Sequence, residues 1–166
     1  GEASRNQFQS DGYFESYLEA INSIGRINSA HDLSNGISIK LSALYSKYDA
    51  LHEREVKGFL LPRLRDLVVE ASLQNVSVTI DAEEQDRLSL SLSIIAELAL
   101  DPVIKGWPKL GLAVQAYGKR SPQVIDHLAQ LVQQRETMHV RLVKGAYWDH
   151  EIKNAQVKGL NGYPVF

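Results

Sequence analysis

Four side chains able to hold or orient a small ligand, Lys40, Asp81, Gln115 and Arg141, each stand within or just after a short apolar segment. At such a position a lysine can clamp a carboxylate or serve as a Schiff-base nucleophile; the competing reading is an ordinary solvated lysine. Arg141 lies in the run RLVKGAYWD (141–149), where two cations, a glycine and two aromatics gather near a strand-to-helix junction. That composition suits an anionic or aromatic ligand. Gly145 permits close backbone approach, and Trp148 can stack or simply pack. Structural ion pairing of Arg141 and Lys144 is the plainer alternative. In DAEE (81–84), Asp81 and Glu83 would share a face if the strand continued, and paired carboxylates can bind metal or move protons. The pattern favours a helix beginning at once, with Asp81 as its N-cap and Glu83 and Glu84 beside its positive end.

The remaining candidates are weaker. His31, His52, His127, His139 and His150 show no metal-ligand spacing, so no metal site is expected. Asp126 and His127 read as solvated helix surface. With 166 residues, 44% hydrophobic and 23% charged, the chain has a globular balance rather than a disordered one. A formal net charge of -2 removes the electrostatic case for nucleic-acid contact. No cysteine is present, which excludes disulfides and thiolate metal ligands. No apolar run approaches the roughly 20 residues of a membrane span, and the N-terminus does not read as a signal peptide.

The elements that must position these residues alternate. Strands are predicted over 37–43, 76–80, 110–116 and 140–143, each apolar and β-branched between turn residues. Helical spacing marks 13–24, 56–73 with Pro62 kinking or restarting it, 88–99, a helix opening at Ser121-Pro122 with Ser121 as cap, and a last one from Trp148 to about Gly159. The order α-β-α-β-α-β-α-β-α is that of consecutive βαβ units, so the fold class is α/β with a parallel sheet. The strands also alternate in polarity. Ile37, Ile39 and Leu41 oppose Ser38, Lys40 and Ser42; Val76, Val78 and Ile80 oppose Ser77, Thr79 and Asp81. Leu112, Val114 and Ala116 oppose Ala113, Gln115 and Tyr117, and Val140 and Leu142 oppose His139, Arg141 and Val143. A parallel strand covered on both sides would be apolar throughout. Polar second faces, with the reactive residues late in three of the strands, point to a wet interior with a ligand site at the strand ends. A sheet with one solvated face is the alternative. Neither a G-x-G-x-x-G fingerprint nor a Walker A motif follows any strand.

Together, ISIKLSAL (37–44), IDAEE (80–84), QAY (115–117) and RLVKGAYWD (141–149) resemble the proline dehydrogenase domain of the bifunctional proline utilization A flavoenzymes. The likeness runs from about Tyr13 to Phe166, and the closing stretch from Glu151 to Val165 favours the bifunctional branch. The resemblance implies a distorted (βα)8 barrel that holds FAD and oxidises L-proline to Δ1-pyrroline-5-carboxylate by hydride transfer to flavin N5. It implies that Lys40 contacts the substrate carboxylate, that Asp81 lines the proline pocket and holds its polar network, and that Tyr147 is nearest the substrate. Gln115 and Arg141 would hydrogen-bond the isoalloxazine, with Arg141 near N5. Val143, Lys144, Gly145, Ala146 and Trp148 would support the flavin. A quinone is the implied electron acceptor, which points to a cytoplasmic protein docking peripherally at the inner membrane face.

A complete barrel takes about 250 residues, and four strands are legible. The expectation is therefore a partial TIM-type barrel of about four βα units: an N-terminal helical segment over 1–35 leading into a partial catalytic barrel over 36–166. Such a piece of a longer enzyme is expected to be inactive alone. The competing functions are a Schiff-base aldolase using Lys40 or Lys144, and a non-catalytic scaffold half-barrel.

Overall fold

The computed structural model describes residues 3–135 and 137–166. Helix α1 (Gln7–His31) is followed by β1 (Gly36–Ile39), the single turn α2 (Leu41–Leu44), a 3-10 turn (Ala50–His52) and α3 (Glu53–Leu73). Then come β2 (Ser77–Ile80), α4 (Leu88–Ala99), β3 (Leu110–Gln115), α5 (Ser121–Val132), β4 (His139–Val143) and α6 (Trp148–Val157). The strands form one parallel sheet in the order β1-β2-β3-β4, so every strand pairs with its neighbour in sequence. Among the described residues, no helix is long and apolar enough to cross a membrane.

The apolar strand faces meet the helices as their alternation requires. Ile39, Val78, Ile80, Leu110, Leu112 and Val114 are buried together with Leu60, Leu64 and Leu67 of α3, Ile94 and Leu98 of α4, and Leu128 of α5. Helix α1 adds Ile21 to the same core. Its N-terminus is capped by Asn6, whose side chain accepts from Gln9 N at 2.9 Å, and it runs thirteen residues beyond the predicted 13–24. α3 does not restart at Pro62 but runs through it as one helix. The acceptor that a proline leaves unused is the carbonyl four residues earlier, at Gly58, and that residue is exposed, so water can serve it.

Three local expectations fail, each for a visible reason. The first strand ends at Ile39, not residue 43. Leu41, Ser42, Ala43 and Leu44 are all buried, so no polar face continues through Ser42. The Ser42 amide turns to the Glu83 carboxylate at 3.0 Å instead of a ladder partner. Asp81 caps no helix, because seven loop residues separate β2 from α4 and no acid stands in the first turn of α4. Ser121 is already helical; its hydroxyl donates to Gly118 O at 2.7 Å rather than accepting from a first-turn amide.

β4 differs from its neighbour. All six residues of β3 are buried, whereas Val140 and Leu142, on the helix side of β4, are 43% and 66% exposed.

Candidate active site

The register aligns the reactive residues. Ile39 pairs with Ile80, Ile80 with Leu112 and Ala113 with Arg141, so Lys40, Asp81, Ala113 and Arg141 lie at one level across the concave face. Gln115 and Val143 sit one pleat further towards the C-terminal ends. At this level Lys40 Nζ lies 3.3 Å from Asp81, and the Arg141 guanidinium donates to the other Asp81 oxygen. Arg141 also donates to Ser38 Oγ at 2.9 Å. In a flat sheet β1 and β4 would stand about 14 Å apart, at about 4.8 Å per strand. A guanidinium cannot cross that, so the contact requires the sheet to curl as a barrel does. The small Ala113 side chain leaves the intervening strand clear.

Two backbone ties hold Lys40 and Asp81 in place. Lys40 N donates to the Tyr17 hydroxyl of α1 at 3.2 Å, and Asp81 N continues the ladder to Ile39 O at 2.9 Å. The loop after Asp81 is fixed through Glu83. Its carboxylate accepts the Ser42 amide, and its carbonyl accepts from Gln115 Nε2 at 2.8 Å.

Gln115 is thus chiefly a brace. Its Oε1 accepts from the Tyr117 hydroxyl at 3.1 Å and from Ala146 N at 3.2 Å, which leaves one Nε2 hydrogen for a ligand. The Tyr117 hydroxyl in turn accepts from Tyr147 N at 3.1 Å. The 144–147 turn is thereby bound to the end of β3. Gly145 is obligatory there: φ is +122°, and a Cβ would stand 2.5 Å from the Tyr117 ring. Trp148, half exposed, donates from Nε1 to Phe166 O at 2.7 Å.

Two cavities meet at this turn. One, of about 350 Å³, is lined by Lys40, Asp81, Gln115, Arg141 and Val143 along with Gly145, Ala146 and Tyr147. The other, of about 510 Å³, is lined by Lys144, Trp148, Phe166 and the same Gly145–Tyr147 stretch. The ten residues to which the resemblance gives a part in the site therefore all line one cavity or the other. The sequence reading missed the work of Tyr17, Glu83 and Tyr117, and of Glu151, which holds the 81–87 loop from α6. Tyr117 had a signal, since it shares its strand face with Gln115. Glu151 had a fainter one, four residues before the buried Ala155.

Burial raises the Glu83 carboxyl above the usual carboxylate range; the Ser42 contacts and Arg87 oppose this and Glu84 adds to it. Burial also raises the Tyr147 phenol, helped by the charges of Glu83 and Glu84. A carboxyl with a raised folded-state pKa binds more protons folded than unfolded, so its contribution to stability declines as pH rises from the ordinary carboxylate range through the raised value. Glutamine cannot titrate but can still accept from Ser42 N. We expect the melting temperature of Glu83→Gln relative to the unsubstituted protein to improve between pH 4 and pH 8. A difference independent of pH would show that Glu83 titrates as it does in the unfolded chain.

A curled parallel α/β sheet with ionic residues and cavities at its strand ends defines a partial (βα)8-type barrel with the site where such barrels place it. The family model described as proline dehydrogenase matches residues 1–166, and the chain belongs to that family. It is 44% identical to the bifunctional protein PutA of Escherichia coli (strain K12), over all of this chain and 13% of the relative. It is 50% identical to the Rhizobium meliloti bifunctional protein PutA, over 79% of this chain and 11% of that protein. A crystal structure of a Bradyrhizobium japonicum proline utilization A mutant superposes with a TM-score of 0.95 at 46% identity, covering all of this chain and 17% of that one. The chain spans 13% or less of the length of these curated relatives.

Proposed function

We propose that this chain forms part of the catalytic barrel of an FAD-dependent proline dehydrogenase that converts L-proline to Δ1-pyrroline-5-carboxylate, with a membrane quinone as final electron acceptor. The observation that carries the reading is the Lys40–Asp81–Arg141 level beside two cavities joined at the Gly145 turn. The residues fit a long, two-part cofactor. Arg141 offers a half-exposed guanidinium, Gly145 keeps the backbone bare, Gln115 retains one donor, and Lys144 and Trp148 line the second cavity. When bound, FAD supplies the hydride acceptor for the proline ring carbon beside nitrogen.

The chain's own residues bind and orient. Lys40 presents an ammonium to a carboxylate that does not react, which fixes the substrate without covalent chemistry. Asp81 holds Lys40 and Arg141 at a set separation, so two cations share the concave face without drifting apart. Arg141 would place positive charge beside a bound flavin and favour its reduced, electron-rich form, and electrostatic tuning of this kind is the protein's usual part in flavin chemistry. Tyr147 closes the wall common to both cavities. The ion pair with Asp81 also bears on the aldolase alternative. It favours the ammonium form of Lys40, which lacks the lone pair a Schiff-base nucleophile needs.

The test is the visible spectrum of the full-length protein without oxygen, before and after L-proline. A flavin band that bleaches supports the reading. A band that persists moves the substrate elsewhere, and a colourless protein that cannot be reconstituted with FAD supports the scaffold alternative.

A further inference from the structure

The loop from Asp81 to Arg87 has no regular structure of its own, yet it carries the central carboxylate of the site. Beyond the Glu83 contacts, three long-range bonds hold its second half: Gln85 N donates to Glu151 Oε1 at 2.7 Å, across 66 residues, the Arg120 guanidinium donates to Gln85 O, and Lys158 Nζ donates to Asp86 Oδ2 at 3.4 Å. Both ends of the Gln85–Glu151 bond are buried, with Gln85 5% and Glu151 2% exposed. Glu151 lies in the first turn of α6, and its own amide donates to Tyr147 O at 2.8 Å. Glu151 thus connects the loop beginning at Asp81, through its carboxylate, to the turn ending at Tyr147, through its amide, and Tyr147 lines both cavities.

A carboxylate is a costly choice for this position. Burial raises its pKa, Asp86 and Glu84 add to the effect, and the Gln85 amide and His150 oppose it. An apolar residue would pack beside Ala155 without that cost, but would leave the buried Gln85 N–H without an acceptor. The chemistry the position needs is an acceptor at a fixed distance from α6.

We propose that Glu151 is a positioning residue, clamping the Asp81-bearing loop to the Tyr147-bearing turn and so holding the two walls of the substrate cavity in register. This deepens the proline dehydrogenase reading and rests on it. Glu151→Gln keeps an acceptor for Gln85 N, whereas Glu151→Met keeps the approximate volume and removes the acceptor. In the full-length protein the methionine variant is expected to raise KM for L-proline about tenfold, the loss of roughly one buried hydrogen bond, while the glutamine variant stays within about twofold of the unsubstituted enzyme. Amide hydrogen exchange over 82–87 is expected to quicken in the methionine variant alone, at pH values where both are folded by circular dichroism. Should the methionine variant not fold, Glu151→Ala, in which water can reach the Gln85 N–H, is expected to show the same loosening to a smaller degree.

Unchanged exchange in the methionine or alanine variant overturns the clamp. Faster exchange with unchanged KM and kcat overturns the positioning role, and a glutamine variant as impaired as methionine overturns the acceptor argument. An unsubstituted enzyme that leaves proline untouched overturns the functional reading and the positioning role with it, while the exchange data still decide the clamp.

Discussion

Arg141→Met in the full-length protein is expected to slow flavin reduction by L-proline about 100-fold, the scale seen when one preorganised electrostatic group is removed from a reacting centre. The fold should tolerate the change. The Arg141 side chain is 50% exposed, and partly exposed ion pairs contribute at most about 1 kcal/mol. Asp81 keeps Lys40 as its partner, and Ser38 Oγ can turn to water. Anaerobic stopped-flow reduction, beside a thermal melt and a flavin potential, separates the two effects. An unchanged potential, flavin affinity and turnover would remove Arg141 from the site.

Lys40→Ala should act on binding instead. A hydrogen bond to a charged group contributes about 1.5–3 kcal/mol, so KM for L-proline is expected to rise between about tenfold and about 100-fold. The rate constant should change less, because the carboxylate is held equally in ground and transition states. Asp81 retains Arg141, so the variant leaves no carboxylate stranded at 16% exposure. Steady-state kinetics over a wide proline range are the check. Equal values of KM and kcat in the two proteins would mean that Lys40 touches no substrate.

The sheet was readable because alternation is a local property. Ile37 and Ile39 against Ser38 and Lys40, and Val78 and Ile80 against Thr79 and Asp81, already set an apolar face for the helices against a polar one. The ends of elements were not readable, because they are decided by partners far along the chain. β1 stops where Glu83, 41 residues away, takes the Ser42 amide. The DAEE stretch became a loop because its polar groups are satisfied at a distance, Asp81 by Lys40 and Arg141 and Glu83 by Ser42 and Gln115. A local reading could only supply the nearest use, a helix cap. The same limit applies to Gln115, whose residue type and position were legible, while its service as a brace for the 144–147 turn depends on Tyr117 and Ala146.

The strand order β1-β2-β3-β4 has a consequence for how the protein is made. Each strand pairs with the one synthesised just before it, so the sheet can grow by local steps as the chain leaves the ribosome, at about 5–20 residues per second. α1 and the β1–β2 pair can settle first, with later units docking onto a finished surface. β4 is the vulnerable stage. With Val140 and Leu142 uncovered, it presents an apolar face that can attract other chains.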